Sequence, residues 1–153
     1  TSTPIPSDYP SEWTSVDQLV PVVGFRPLAP TYLPTGYNFR EMSPMEYLSE
    51  DWHTEGMGSF LAYRSGAEHF LDVQQSRFTT EDLHKFPVGN APITDVTVRG
   101  HAGVWVEQAT IDPASRLWDA VNLLMWEEDG FVFALFSDEL PLDEMLKVAE
   151  SLQ

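Results

Sequence analysis

Ala120-Val121-Asn122-Leu123-Leu124-Met125-Trp126 and Phe131-Val132-Phe133-Ala134-Leu135-Phe136 are two apolar runs joined by Glu127-Glu128-Asp129-Gly130. Their reading decides the fold. Asp-Gly between apolar runs signals a β-hairpin, because glycine accepts the positive φ that a primed turn demands. Apart from Asn122, both arms are apolar on both faces, which predicts a central position in a sheet covered on both sides. Leu142, Met145, Leu146, Ala149 and Leu152 then recur at helical spacing. Pro141 suits the first turn of that helix, and Asp143 and Glu144 suit the positive end of its dipole.

Working outward, Gly103–Ala109 alternates Val104 and Val106 with Trp105 and Glu107, and Arg99-Gly100-His101 turns it back onto an expected strand at Ile93–Val98. A longer strand is expected at Glu68–Phe78, where the polar share of Phe70, Asp72, Gln74 and Ser76 predicts one face near solvent. Further strands are expected at Ser59–Arg64 and Tyr37–Met42. Trp105, Trp118 and Trp126 fall on or beside strands, where aromatics pack well. Thr79–Asn90 reads as a connection with a helical turn at Thr80–His84, and Ile111–Leu117 as a polar loop. Val16–Val23 reads as a helix with Ser15 as N-cap, held to two turns by Pro21. Between them, Leu28–Tyr37 carries Pro30, Pro34 and Gly36 among large apolar residues. This stiff loop should plug one edge of the core by burying Tyr32, Leu33 and Tyr37.

The expected architecture is α+β: a mostly antiparallel sheet of about six or seven strands, a C-terminal helix packed on one face and a short N-terminal helix. Residues 1–15, with three prolines, read as a linker or tail pinned by Tyr9 and Trp13, and residues 16–153 as a single domain. The chain opens at Thr1 without a Met and reads as a piece cut from a longer protein.

With 42% hydrophobic residues among 153, the chain can bury a core. Eight basic against twenty-four acidic residues give a net charge of −16, which repels nucleic acid and anionic membrane surfaces. No cysteine is present, which excludes disulfides, thiolate catalysis and cysteine metal sites. The sequence holds no G-x-S-x-G, P-loop or H-E-x-x-H pattern, and neither a catalytic set, a cofactor nor a metal is expected. Asp51, His53 and Glu55 supply a single imidazole and read as a solvated acidic loop rather than a metal site. Glu127, Glu128 and Asp129 offer oxygen ligands for Ca²⁺, but a charged hairpin tip needs no such role.

Ser43–Gly58 reads as a mobile surface loop with Glu46, Glu50, Asp51 and Glu55 around two aromatics. Aromatics among carboxylates suit a basic or amphipathic partner, so Tyr47, Trp52, His53 and Glu55 are the expected partner surface.

Three segments carry a family resemblance. Pro30-Thr31-Tyr32-Leu33-Pro34-Thr35-Gly36-Tyr37 is similar to a "PxYLPxGY" opening, and Val96-Thr97-Val98-Arg99-Gly100-His101-Ala102 to a strand–Gly–strand step. Leu124–Gly130 with Leu146–Leu152 resembles an "LxWxExG" hairpin and a terminal "KxAESL" helix. Together they resemble, over Val16–Gln153, an uncharacterised extracytoplasmic domain. That domain occurs at the C-terminus of membrane-anchored anti-sigma-factor-like proteins and in lipoproteins, mainly of Gram-positive bacteria. The acidic Ser43–Gly58 loop departs from its pattern. The resemblance implies export, a tether before Thr1 and no catalytic residues. It points to a non-enzymatic binding or sensing domain whose partner is a protein or envelope ligand. The alternative is a carrier of lipid or another hydrophobic ligand, with an apolar cavity under a curved sheet.

Overall fold

Asp129 (φ 54°) and Gly130 (φ 82°) both occupy the left-handed region, so the apolar hairpin closes through a two-residue primed turn as its sequence predicts. Its arms are β6 (Val121–Glu128) and β7 (Phe131–Ser137) in the computed structural model, which describes residues 12–48, 54–77, 92–109 and 120–153. For residues 46–48 and 54–57 it describes the backbone alone. The other strands are β1 (Asn38–Leu48), β2 (Thr54–Ser65), β3 (His69–Ser76), β4 (Ile93–Val98) and β5 (His101–Ala109). They form one antiparallel sheet in the order β1-β2-β3-β7-β6-β5-β4. Two meanders, β1–β3 and β4–β7, are stitched together by the β3–β7 pair from Leu71↔Ser137 to Ser76↔Val132.

The helices are α1 (Val16–Val23) and α2 (Leu142–Glu150). Ser15 caps α1 in a capping box with Gln18, and Gly24 ends the helix at φ 83°. Pro21 is accommodated because the helix has only eight residues. Pro141 stands one position earlier than its sequence suggests, as the N-cap of α2, with Asp143 and Glu144 in the first turn. Both helices lie on one face of the sheet. Leu19, Val23 and Phe25 join Met145, Val148, Ala149 and Leu152 over Leu71, Val73, Leu124, Trp126, Phe133 and Leu135. The opposite face carries a second buried cluster that includes Val106, Leu123, Met125, Val132 and Phe136. The central hairpin is therefore buried on both sides, as expected.

Three local expectations are corrected. Ser43–Gly58 is not one irregular loop: β1 runs on to Leu48 and β2 begins at Thr54, with Ser43 opposite Phe60 and Tyr47 opposite Gly56. β1 is the edge strand, which tolerates Pro44 and charged residues that a central strand would not. On β3 the row expected near solvent is buried at Asp72 and Ser76 and half-buried at Phe70 and Gln74, and Gln75 on the other face is buried too. Asp72 pairs with Arg64, and Gln75 accepts the Leu28 backbone N–H. Tyr32 stays at the surface and donates its hydroxyl to Glu144, while Tyr37 is buried and Leu33 packs at the core's margin. Tyr9, Trp118 and the proposed turn at Thr80–His84 lie outside the described residues.

Candidate functional site

The strongest convergence of polar side chains lies at the C-terminal end of α2. Arg99 and Gly100 form a second primed turn (φ 52° and 79°) that delivers Arg99 beneath the helix end. The Arg99 guanidinium donates through Nη1 to the carbonyls of Ala149 (3.0 Å) and Leu152 (3.0 Å). Through Nε it donates to Glu128 Oε1 at 2.9 Å. Its backbone N–H donates to Glu150 Oε1 at 2.7 Å. The last carbonyls of a helix lack partners within it and carry the negative end of its dipole, so a cation here satisfies both. Glu128 also accepts from Trp126 Nε1 at 3.3 Å, and His101 Nε2 stands 3.8 Å away. Glu127, its neighbour, projects to the other face of β6 by strand alternation, so the acidic hairpin tip does not converge as a Ca²⁺ ligand set would.

The proline-rich loop reaches the same end. Ala29 and Gln153 exchange backbone hydrogen bonds at 3.0 Å each way, and Pro30 bridges to Leu152. Thr31 Oγ1 donates to the Ser151 carbonyl at 2.9 Å. Beneath this closure Trp126 stacks on Phe133, with centroids 5.1 Å apart and planes 10° apart. Gly103 is required alongside, because a Cβ there would stand 2.7 Å from the Met125 carbonyl and 2.9 Å from Trp126 Cβ. The three segments that resemble a family thus meet in space, joined by bonds from Thr31 to Ser151 and from Arg99 to Glu128, Ala149 and Leu152.

A second cluster lies at the N-terminal end of α2. His69 Nδ1 stands 2.7 Å from Asp138 Oδ2 and 3.4 Å from Glu139 Oε2. Asp138 Oδ1 accepts the Phe70 backbone N–H at 2.9 Å, and Glu139 Oε1 accepts the Tyr37 hydroxyl at 2.7 Å. Burial and the hydrogen bond to Glu139 push the Tyr37 phenol well above its ordinary value. At the other end of β6, Asn122, the lone polar residue of that arm, donates to the Leu140 carbonyl and accepts from Gln108 within a bulge of β5.

An open groove of about 890 Å³ runs along the edge strand, lined by Glu12, Trp13 and Thr14, six consecutive β1 residues from Asn38 to Ser43, and Arg64 and Gly66. Phe39 stands 45% exposed in it, edge-on to Tyr63. Arg64 is engaged with Asp72 at 2.8 Å, and burial pushes Asp72 above the usual carboxylate range despite that partner.

Of the expected partner surface, Tyr47 falls at the end of β1 and Glu55 at the start of β2, so the backbone brings both to one hairpin. Trp52 and His53 lie outside the described residues. The sequence shows the Arg99-Gly100 turn but not its destination, and it hides the His69 cluster because Asp138 and Glu139 are remote in the chain. Among the described residues, no group of three or more His, Asp or Glu is arranged to hold a metal, and no helix is long and apolar enough to cross a membrane.

Residues 27–152 match the model of a protein family described as "Domain of unknown function (DUF4367)". No curated protein matches the chain.

Proposed function

The chain belongs to the DUF4367 family, a domain of unknown function, and from that premise we propose that it is a non-enzymatic binding or sensing domain of the bacterial envelope. It would be carried outside the cytoplasm on a membrane-tethered regulatory protein of anti-sigma type, or on a lipoprotein. One observation carries the reading. The polar groups of the family-like segments, Thr31, Arg99, Glu128 and Ser151, are consumed in bonds that fasten α2 and the proline-rich loop to the sheet. Such segments specify a scaffold, and function on a scaffold resides in the surface it presents.

The surface proposed for the partner is the β1–β2 hairpin with Tyr47, Trp52, His53 and Glu55. The partner is a basic or amphipathic protein segment or envelope ligand, attracted by the net charge of −16 and excluding nucleic acid by the same charge. A carrier of hydrophobic ligands would need an apolar-walled cavity. The groove beside β1 mixes Trp13, Phe39 and Met42 with Glu12, Arg40, Glu41 and Arg64, so its wall is not uniformly apolar. A pull-down from envelope extract with the domain and its Tyr47→Ala/Trp52→Ala variant tests the proposal. The expected result is a partner captured by the wild type, lost from the variant and weakened by added salt. Equal capture by both proteins rules out the hairpin, and turnover of an ester, peptide or glycan substrate overturns the non-enzymatic reading.

A further inference from the structure

His69 opens β3 two residues beyond the point where the β3–β7 ladder ends at Leu71↔Ser137. Past that point, side chains replace the backbone pairing. Asp138 takes the Phe70 N–H with one oxygen and faces the His69 ring with the other, while Glu139 stands between His69 and the Tyr37 hydroxyl. Three segments remote in sequence therefore meet at one imidazole: the β2–β3 turn, the β7–α2 connection and the loop entering β1. We propose that this cluster is a proton-operated latch: protonated His69 fastens the β2–β3 turn and the Tyr37 loop to the start of α2, and neutral His69 lets them part.

The charges around the ring support the direction of the switch. Asp138 and Glu139 face it from the β7–α2 connection and Glu68 from its own turn, while Tyr37 contributes a neutral hydroxyl. Ser137 is engaged with the backbone N–H groups of Glu139 and Leu140. The nearest cation on the hairpin, Arg64, is turned to Asp72 and the Phe70 ring on the other face of the sheet. Lys147 pairs with Glu144 further along α2. Among the described residues, the His69 proton is thus the only positive charge against three carboxylates. Neutral imidazole keeps one N–H for Asp138 but leaves the carboxylates to repel one another.

The hydrogen bond to Asp138, reinforced by the Glu139, Asp138 and Glu68 charges and opposed by partial burial, raises His69 above its ordinary 6.5. A group raised on folding stabilises fully below its unfolded value and loses that stabilisation as pH rises through its folded value. The latch is therefore closed in acid and opens as pH rises through the raised His69 value. The ring is 42% exposed and its two acids 27% and 43%. The pairs are screened, and the response is local opening rather than global unfolding.

NMR titration of the domain from about pH 5 to 9 tests this across the range where imidazole ionises, with amide protection factors measured at Phe70 and Glu139. The expected result is a His69 midpoint above 6.5, with protection at Phe70 falling through that midpoint in the wild type and flat with pH in His69→Gln. A His69 midpoint at or below 6.5, or the same pH dependence in His69→Gln, overturns the latch. Should His69→Gln fail to fold, Asp138→Asn decides: the His69 midpoint moves down toward its ordinary value if the latch exists, and stays in place if it does not.

Discussion

The two ends of α2 are fastened to the sheet by different chemistry. At the C-terminal end the fastener is Arg99, whose guanidinium stays charged at every physiological pH and whose side chain is 21% exposed against a Glu128 that is 10% exposed. At the N-terminal end it is His69, whose charge can be lost and whose side chain is 42% exposed. The first also donates to the backbone carbonyls of Ala149 and Leu152 at the helix end, whereas the second holds side chains to side chains. A permanent charge with several backbone acceptors makes a fixed joint, and a titratable charge among carboxylates makes an adjustable one. The domain therefore has a rigid side, where α2, the proline-rich loop and the β4–β5 turn close together, and a responsive side at the β2–β3 turn.

This contrast sets the order of the expected effects. Trp126→Ala should cost most, about 3–5 kcal/mol, because it empties the fully buried site beneath the fixed joint. Urea unfolding measures it, and a loss under about 1 kcal/mol would mean that the joint does not depend on its packing. Gly130→Val should cost about 1 kcal/mol or more, since a β-branched residue resists the positive φ of the turn. Thermal unfolding checks this, and an unchanged midpoint would contradict the primed turn. Tyr37→Phe, on the adjustable side, removes the hydroxyl that donates to Glu139 and should cost about 0.5–1.5 kcal/mol. A loss as large as that at Trp126 would erase the distinction between the two ends.

Much of the rigid side was legible in the sequence. The Asp129-Gly130 turn, the apolar arms of β6 and β7, the helical spacing of α2 and the Ser15 cap are local patterns, and local patterns survive folding. Counting them leads to a mostly antiparallel sheet of about six or seven strands, and the sheet has seven. What sequence hid were the pairings across long separations. Arg99 and Glu150 are 51 residues apart and His69 and Asp138 are 69 apart, so no periodicity links them. The β1–β2 hairpin was misread for a different reason. An edge strand buries only part of its surface, so Glu41, Ser43 and Pro44 carry no alternating apolar signal. The polar face of β3 misled similarly, because Asp72 is buried beside Arg64, which pairing in the sheet supplies.

The rigid side depends on Arg99 and Glu128, both in family-like segments, acting together. A double-mutant cycle of Arg99→Met and Glu128→Gln, read by urea unfolding, measures that directly. The two side chains meet at 2.9 Å in a largely buried setting. The predicted coupling is about 1.5–3 kcal/mol, the range for hydrogen bonds to charged groups. Additive effects, with coupling below about 0.5 kcal/mol, would contradict it.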